Sequence, residues 1–362
     1  MTALADLLAR RIAATGPVTL ADYMAECLLN PDHGYYATRD PLGATGDFTT
    51  APEISQMFGE LIGLCLAQSW LDQGAPPAIL AEAGPGRGTL MADIWRATRS
   101  VPGFHERVTI RLIEASPVLR RAQAGRLAGA PVEWLDSLDA LPDAPLWFIA
   151  NEFFDALPIR QFQRAGAGWR EVVVGIDGDR LVPGLTPAAP LADLAPRLAD
   201  TQDGDIVETC PAARPAMAAL ADRIGRRGGG ALVIDYGGWR SSGDTFQAMV
   251  GHAYADPFAN PGQADLTAHV DFEALARAAR PLHTSRLVTQ GALLGSLGIE
   301  ARAARLARTL TGEARDLHLA ALRRLTDAGE MGTLFKALAL VAAGAPMPPG
   351  FTPAPALVET VR

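Results

Sequence analysis

The residues with the clearest chemical promise run Glu82-Ala83-Gly84-Pro85-Gly86-Arg87-Gly88, an acidic side chain two positions ahead of three alternate glycines. Glycine admits close approach of backbone to ligand, and free N–H groups at a helix start attract anionic groups. A dinucleotide-binding loop would read GxGxxG; this one reads GxGxG. S-adenosylmethionine (SAM) suits the spacing better, since it has no pyrophosphate to seat and carries an ammonium and a carboxylate at its methionine end. Glu82 can attract the ammonium, directly or through water, while loop N–H groups meet the carboxylate. Competing readings are another nucleotide, and a glycine turn that merely joins strand to helix.

Further positions extend the pattern. Glu114, closing the run RLIE, can accept both ribose hydroxyls, the part an acidic residue plays at the second strand of dinucleotide folds. A solvated strand-end glutamate is the plainer alternative. Asp136 can accept from the adenine amino group, or is one more acidic loop residue. The stretch Asn151-Glu152-Phe153-Phe154-Asp155-Ala156-Leu157-Pro158 brings an amide and two carboxylates, interleaved with phenylalanines, to where a donor methyl should lie. Methyl transfer is an in-line displacement, so a protein chiefly aligns the partners and supplies any base. For a guanidinium acceptor, Glu152 and Asp155 would hold the planar fork and take charge as a proton leaves, and Phe153 could face the cation. The plainer reading puts both phenylalanines in the core and makes Glu152 a helix cap.

These residues need elements to hold them. AILAEA reads as a buried strand, TLMADIWRATRS as a helix, VTIRLI as a second strand, PVLRRAQAGRLAG as a helix, PVEWL as a short third strand and LWFIAN as a fourth. CPAARPAMAALADRIGRR then precedes a fifth strand, GALVIDYGG, and HTSRLVTQ and LFKALALVAA read as the last strands. Strands alternating with helices imply an α/β fold with a mostly parallel sheet covered on both faces. Residues 2–74 read as mostly helical. QFQRAGAGWREVVVGIDGDRLVPGL reads as hairpins, the Pro/Ala-rich stretch Thr186–Arg197 as a connector, and Phe246–Leu266 as a long loop. Asp271 is placed to cap the helix that follows it, and Asp235 and Tyr236 end the fifth strand.

The chain has 362 residues, of which 49% are hydrophobic and 20% charged, with a formal net charge of −8. Such a chain buries a sizeable core without disulfide or metal staples. The acidity argues against a general nucleic-acid binder. It leaves room for a cationic acceptor. Lys336 is the single lysine among many arginines, a bias expected of a GC-rich, bacterial genome. Cys27, Cys65 and Cys210 are scattered, without metal-ligand spacing, as expected of reduced thiols in the cytoplasm. No metal site and no membrane span are expected. Neither a GxSxG elbow nor a GxxxxGK loop is present, so serine hydrolase and Walker-type readings fail.

Beyond these features the chain resembles the MidA-like methyltransferases, a family that includes the mitochondrial complex I assembly-factor protein-arginine methyltransferase. The resemblance is carried by GDFTTAPEISQMFGELIG (Gly46–Gly63), AGPGRGTLMADI, EASPVLR, NEFFDALPIRQF, VIDYG, PGQADLTAHVDF, QGALLGSLGI and MGTLFKALAL, and spans nearly the whole chain. Ala83 departs from it, since a larger aliphatic residue is expected before the first glycine. The resemblance implies a class I SAM-dependent methyltransferase: a Rossmann-like, mostly parallel seven-stranded sheet with an N-terminal helical extension and a β-hairpin insert. The expected division is an extension at 1–75, a SAM-binding domain at 76–345 with an insert at about 160–205, and a tail at 346–362. It further implies SAM held by Glu82, Gly84, Gly86, Gly88 and Glu114, with Asp136 and Asn151 beside it. Glu152 and Asp155 would face the acceptor. Asp47, Phe48, Thr49, Thr50 and Glu53 would bind SAM's methionine end or shape an acceptor channel, unless the threonines and Glu53 simply cap the next helix. Phe153, Asp235 and His269 complete the expected acceptor side, although a hydrogen-bonded structural histidine is the commoner case. The implied activity is methylation of an arginine on a complex I subunit or similar protein. The alternatives are methylation of a small molecule or another protein nitrogen, and a SAM-binding assembly chaperone without chemistry.

Overall fold

Alternating apolar strands and amphipathic helices fold into one sheet. Helix α1 (Gln56–Asp72) precedes strand β1 (Ala78–Ala83), followed by α2 (Thr89–Ala97), β2 (Val108–Ile113), α3 (Pro117–Arg126), β3 (Val132–Leu135), β4 (Leu146–Asn151), α4 (Ala213–Arg227) and β5 (Gly229–Gly238). Two-residue β6 (His283–Thr284) and β7 (Phe335–Val341) close the series. The strands run in the order β6-β7-β5-β4-β1-β2-β3. Neighbours from β5 through β3 are parallel, and β7 is antiparallel to both β5 and β6. Every residue of β1 and β4 is buried, as a parallel sheet covered on both faces requires.

A computed structural model describes residues 2–38 and 49–355. They form two compact units. The glycine-loop unit contains Thr49–Phe154, Arg214–Gly237 and the chain from Phe272, and so holds the sheet. The hairpin unit contains the N-terminal segment, Asp155–Ala213 and Gly238–Asp271. The boundary expected at residue 75 is thereby displaced: α1 belongs with the sheet, and the insert joins the first helices and residues 238–271. The expected tail is not detached at its start. Phe351 is buried in the sheet unit's core, and Cys65 donates its thiol hydrogen to the Pro349 carbonyl at 3.3 Å.

α1 is apolar on nearly every side and buried from Met57 to Gly63, as expected of a helix enclosed by a core. Gly59 and Gly63, one turn apart, let it lie close to α2. A Cβ at Gly63 would stand 2.8 Å from the Ile94 Cα, and one at Gly59 would stand 2.6 Å from the Asp93 Cβ.

In the hairpin unit, Arg160–Ala165, Gly168–Asp177 and Arg180–Leu185 form the expected antiparallel ribbon. Its two-residue loops, Gly166-Ala167 and Gly178-Asp179, each begin with a glycine at positive φ, the conformation such tight hairpins demand. Val18–Thr19 and Ile206–Thr209 extend this sheet. Thr2 and Thr19 cap the helices Ala3–Thr15 and Leu20–Leu29, whose apolar faces pack with Val174, Leu181 and Leu266. Two expectations change. Phe246–Leu266 contains strands Gln247–Val250 and Ala253–Ala255, completed by Asp265–Thr267, because short segments find antiparallel partners that local periodicity does not announce. The Pro/Ala-rich connector runs into a 3-10 helix, Ala192–Ala199, anchored by buried Leu194.

Candidate functional site

β1 is fully buried up to Ala83, and the chain then turns sharply. Gly84, Gly86 and Gly88 have φ of 62°, 54° and 78°, a left-handed region that side chains with a Cβ resist. Gly88 is the N-cap of α2 and offers no side chain to its first N–H groups, which leaves them for an anion. A Cβ on Gly84 would lie 2.9 Å from the Phe153 ring, so that ring rests on the loop. Glu82 is 2% exposed, and its Oε2 has no hydrogen-bond partner among the described residues. Burial, then the charge of Glu114, pushes its carboxyl up to about 8 against an opposing bond from the Met91 N–H. A buried carboxyl oxygen without a partner among the described residues, beside a helix start with no side-chain cap, fits the ammonium and carboxylate of an amino-acid moiety.

Glu114 follows β2. Its Oε1 accepts from the Ser116 N–H at 2.7 Å and its Oε2 from the Gln123 amide at 3.2 Å. The Gln123 amide also donates to the Gly86 carbonyl at 2.7 Å, while its oxygen accepts from the Trp134 indole at 2.7 Å. One buried side chain on α3 thus ties the glycine loop to the Glu114 carboxylate. Gln123 lies outside the sequence expectations, although its position one turn after Leu119 on the buried stripe of α3 was the available signal. Asp136 lies after β3 with its side chain 90% exposed, paired to Arg120 at 2.6 Å. Arg120 also donates to the Glu114 carbonyl.

At the end of β4, Asn151 is buried and Glu152 takes φ 52°. A non-glycine residue there bears strain of about 1 kcal/mol or more. The Glu152 Oε1 accepts from the Asn151 amide and from the Ala51 N–H, both at 3.0 Å. The helix-cap reading of Glu152 is therefore correct in geometry, the capped helix being Ala51–Ile54. Burial raises the Glu152 carboxyl above its ordinary range, opposed by those two bonds and the charge of Arg324. The Asn151 Oδ1 is buried without a partner among the described residues.

Asp235 is placed differently from its expected acceptor-side role. It is wholly buried, and its carboxylate accepts backbone N–H groups of Phe153, Phe154 and Tyr236 at 3.2, 2.9 and 3.0 Å. The threonines do not cap α1 either; Ser55 does, accepting from the Met57 N–H. Thr50 starts Ala51–Ile54 without a side-chain bond. Glu53 accepts from the Thr89 hydroxyl at the start of α2 and lies 3.7 Å from Arg126. Thr49 begins the segment leading to them. Asp47 and Phe48 lie outside the described residues.

Asp155 and His269 belong to the hairpin unit. Asp155 is buried, and its carbonyl accepts the Ala268 N–H at 3.0 Å. Tyr36 donates to Asp265 at 2.8 Å. Burial raises its phenol well above the usual range, helped by the charges of Asp265 and Asp155. The His269 N–H donates to the Thr245 hydroxyl at 2.8 Å, and that hydroxyl donates to Glu208. No sequence reading singled out Tyr36, Thr245 or Glu208.

A mostly parallel sheet in this order, with a glycine loop after β1 and an acidic residue after β2, defines a Rossmann-like domain of the class I methyltransferase type. The comparisons agree. A family model described as "Putative S-adenosyl-L-methionine-dependent methyltransferase" matches residues 61–291, more than half of the chain. The chain belongs to this family of SAM-dependent methyltransferases. It is similar to the mitochondrial protein arginine methyltransferase NDUFAF7 of Danio rerio, with 39% identity across 82% of this chain and 76% of that one. The Bos taurus protein of the same name is 38% identical across 91% and 81%. Among solved structures, a Burkholderia thailandensis protein bound to S-adenosyl-homocysteine matches with a TM-score of 0.82 and 28% identity, covering 96% of this chain and 94% of that one.

Proposed function

We propose that this SAM-dependent methyltransferase modifies an arginine side chain of a protein, a respiratory complex I subunit or a similar one. The observation that carries the proposal is Glu152: a half-buried carboxyl group in a strained backbone, held by Asn151 and Ala51, next to a phenylalanine that rests on the glycine loop. The names of the relatives supply the arginine. SAM, when bound, supplies an electrophilic methyl group on a sulfonium. On this reading Glu82 and the N-terminal N–H groups of α2 receive the amino-acid end, and Glu114, oriented by Gln123, receives the ribose hydroxyls. Asn151 lies beside the same site, and Asp136 serves the adenine. Glu152 would hold the guanidinium and take the proton lost as the nitrogen–carbon bond forms and the methyl–sulfur bond breaks, its electron pair returning to a neutral sulfur, so the methylated guanidinium keeps a single positive charge.

Tritiated SAM with desalted cell extract is expected to label one dominant protein band, with the label recovered as methylated arginine after acid hydrolysis. Label confined to small molecules would overturn the arginine acceptor and favour a small-molecule substrate. Glu152→Gln is expected to lower the rate by about a hundredfold or more while S-adenosylhomocysteine binding by calorimetry stays within about threefold. An unchanged rate would refute the role of Glu152, whereas no transfer by the unaltered chain would favour the chaperone reading.

A further inference from the structure

The parallel ladder between β4 and β5 ends abruptly. Ile234 pairs with Asn151, and the Glu152 N–H still reaches the Ile234 carbonyl at 2.9 Å. The next two donors, on Phe153 and Phe154, have no strand carbonyl to follow, because Glu152 turns the chain into the left-handed region. Phe154 is only 3% exposed, so water cannot readily serve its N–H. Buried backbone donors left unmet are strongly disfavoured. The Asp235 Oδ2 accepts both, and its Oδ1 accepts from Tyr236.

We propose that Asp235 is the positioning residue for Glu152, its carboxylate standing in for the missing ladder and holding the turn in which Glu152 faces Asn151 and Ala51. The inference rests on the reading of Glu152 as the acceptor-side base. The same turn places the Phe153 ring on Gly84, so the clamp also sets one wall of the glycine loop. Asp235 is wholly buried and acts through the backbone rather than on substrate.

The test compares Asp235→Ala and Asp235→Asn with the unaltered chain, using tritiated SAM and protein extract from cells lacking this gene. Hydrogen exchange is resolved at residues 153–154 and across β7. Asp235→Ala is expected to speed exchange at Phe153 and Phe154 about tenfold or more while β7 stays protected. Its maximal rate should fall about a hundredfold, with KM for SAM within about threefold. Asp235→Asn, whose carbonyl oxygen can still take the two N–H groups, is expected to fall between. If the alanine variant does not fold, the asparagine variant decides.

An unaltered maximal rate in a folded variant, or faster exchange spread evenly over the sheet, would overturn the clamp. Glu152→Gln separates the two readings. If it is inactive with residues 153–154 still protected, a folded and fully active Asp235→Ala, or a fully active Asp235→Asn in which residues 153–154 have lost protection, overturns the clamp alone. If it is active, both readings fall.

Discussion

Two buried glutamates, one in each unit, show how burial can serve opposite ends. Glu208 of the hairpin unit is 3% exposed, and its carboxylate is met by the Gln161 amide at 2.8 Å, the Thr245 N–H at 2.9 Å and the Thr245 hydroxyl. Glu82 of the glycine-loop unit is 2% exposed and keeps one oxygen unmet among the described residues. Burial raises both carboxyls. At Glu208 three hydrogen bonds from Thr245 and Gln161 oppose it, whereas at Glu82 the Glu114 charge adds to it and only the Met91 N–H opposes. A satisfied buried carboxylate stabilises a local fold, and an unsatisfied one beside open N–H groups is preorganised for a cationic partner.

The contrast can be broken at several points. The largest effect is expected from Gly86→Val, which forces a β-branched residue into φ 54°: SAM affinity by calorimetry should weaken about a hundredfold or more. Binding equal to the unaltered chain would remove the glycine loop from the cofactor site. Next come the paired substitutions. Glu82→Gln should cost about tenfold or more in SAM affinity with melting temperature held or raised. Glu208→Gln should cost about 2 kcal/mol of stability with affinity nearly unchanged. The opposite pattern would reverse the roles assigned to the two glutamates.

A pH series sharpens the same difference. The folded, ligand-free protein keeps its proton on Glu82 up to about 8, whereas the unfolded chain releases it in the ordinary carboxylate range. Glu82 therefore lowers stability progressively as pH rises from that range to about 8. If an ammonium binds only the ionised form, SAM affinity should rise with pH, by about tenfold between pH 6 and 7, and level off above about 8. Glu82→Gln should flatten both trends, and a flat profile in the unaltered chain would exclude Glu82 from ammonium binding. The smallest effect is expected from Gln123→Leu. Freeing Glu114 and the Gly86 carbonyl should weaken S-adenosylhomocysteine by about three- to tenfold, and no change would show that Glu114 is held without it.

Legibility followed the range of the contacts. The glycine loop, its preceding glutamate and Glu114 could be read because each is a local pattern: a strand, a turn needing positive φ, a helix start. Glu152 stands out in the sequence by its neighbours' chemistry, but nothing there announces its left-handed backbone. Asp235 reads as the end of the fifth strand, but its bonds to the Phe153 and Phe154 N–H groups have no local signal. The strands at 247–255 escaped because their pairing is decided by residues such as Leu266 and Thr267, not by their own period.

The sequence by itself determined the order of strands and helices, the positions of the sharp turn and the kind of ligand its acid and glycines could meet. Hydrophobic period and backbone sterics act over a few residues. Only the tertiary structure decided that Ala51 caps its N–H on Glu152 from 101 residues away, that Asp235 clamps Phe154 across 81, and that Gln123 joins the glycine loop across 37. Those bonds form where the folded sheet has already excluded water. No local pattern encodes which buried donor will be left in need of an acceptor.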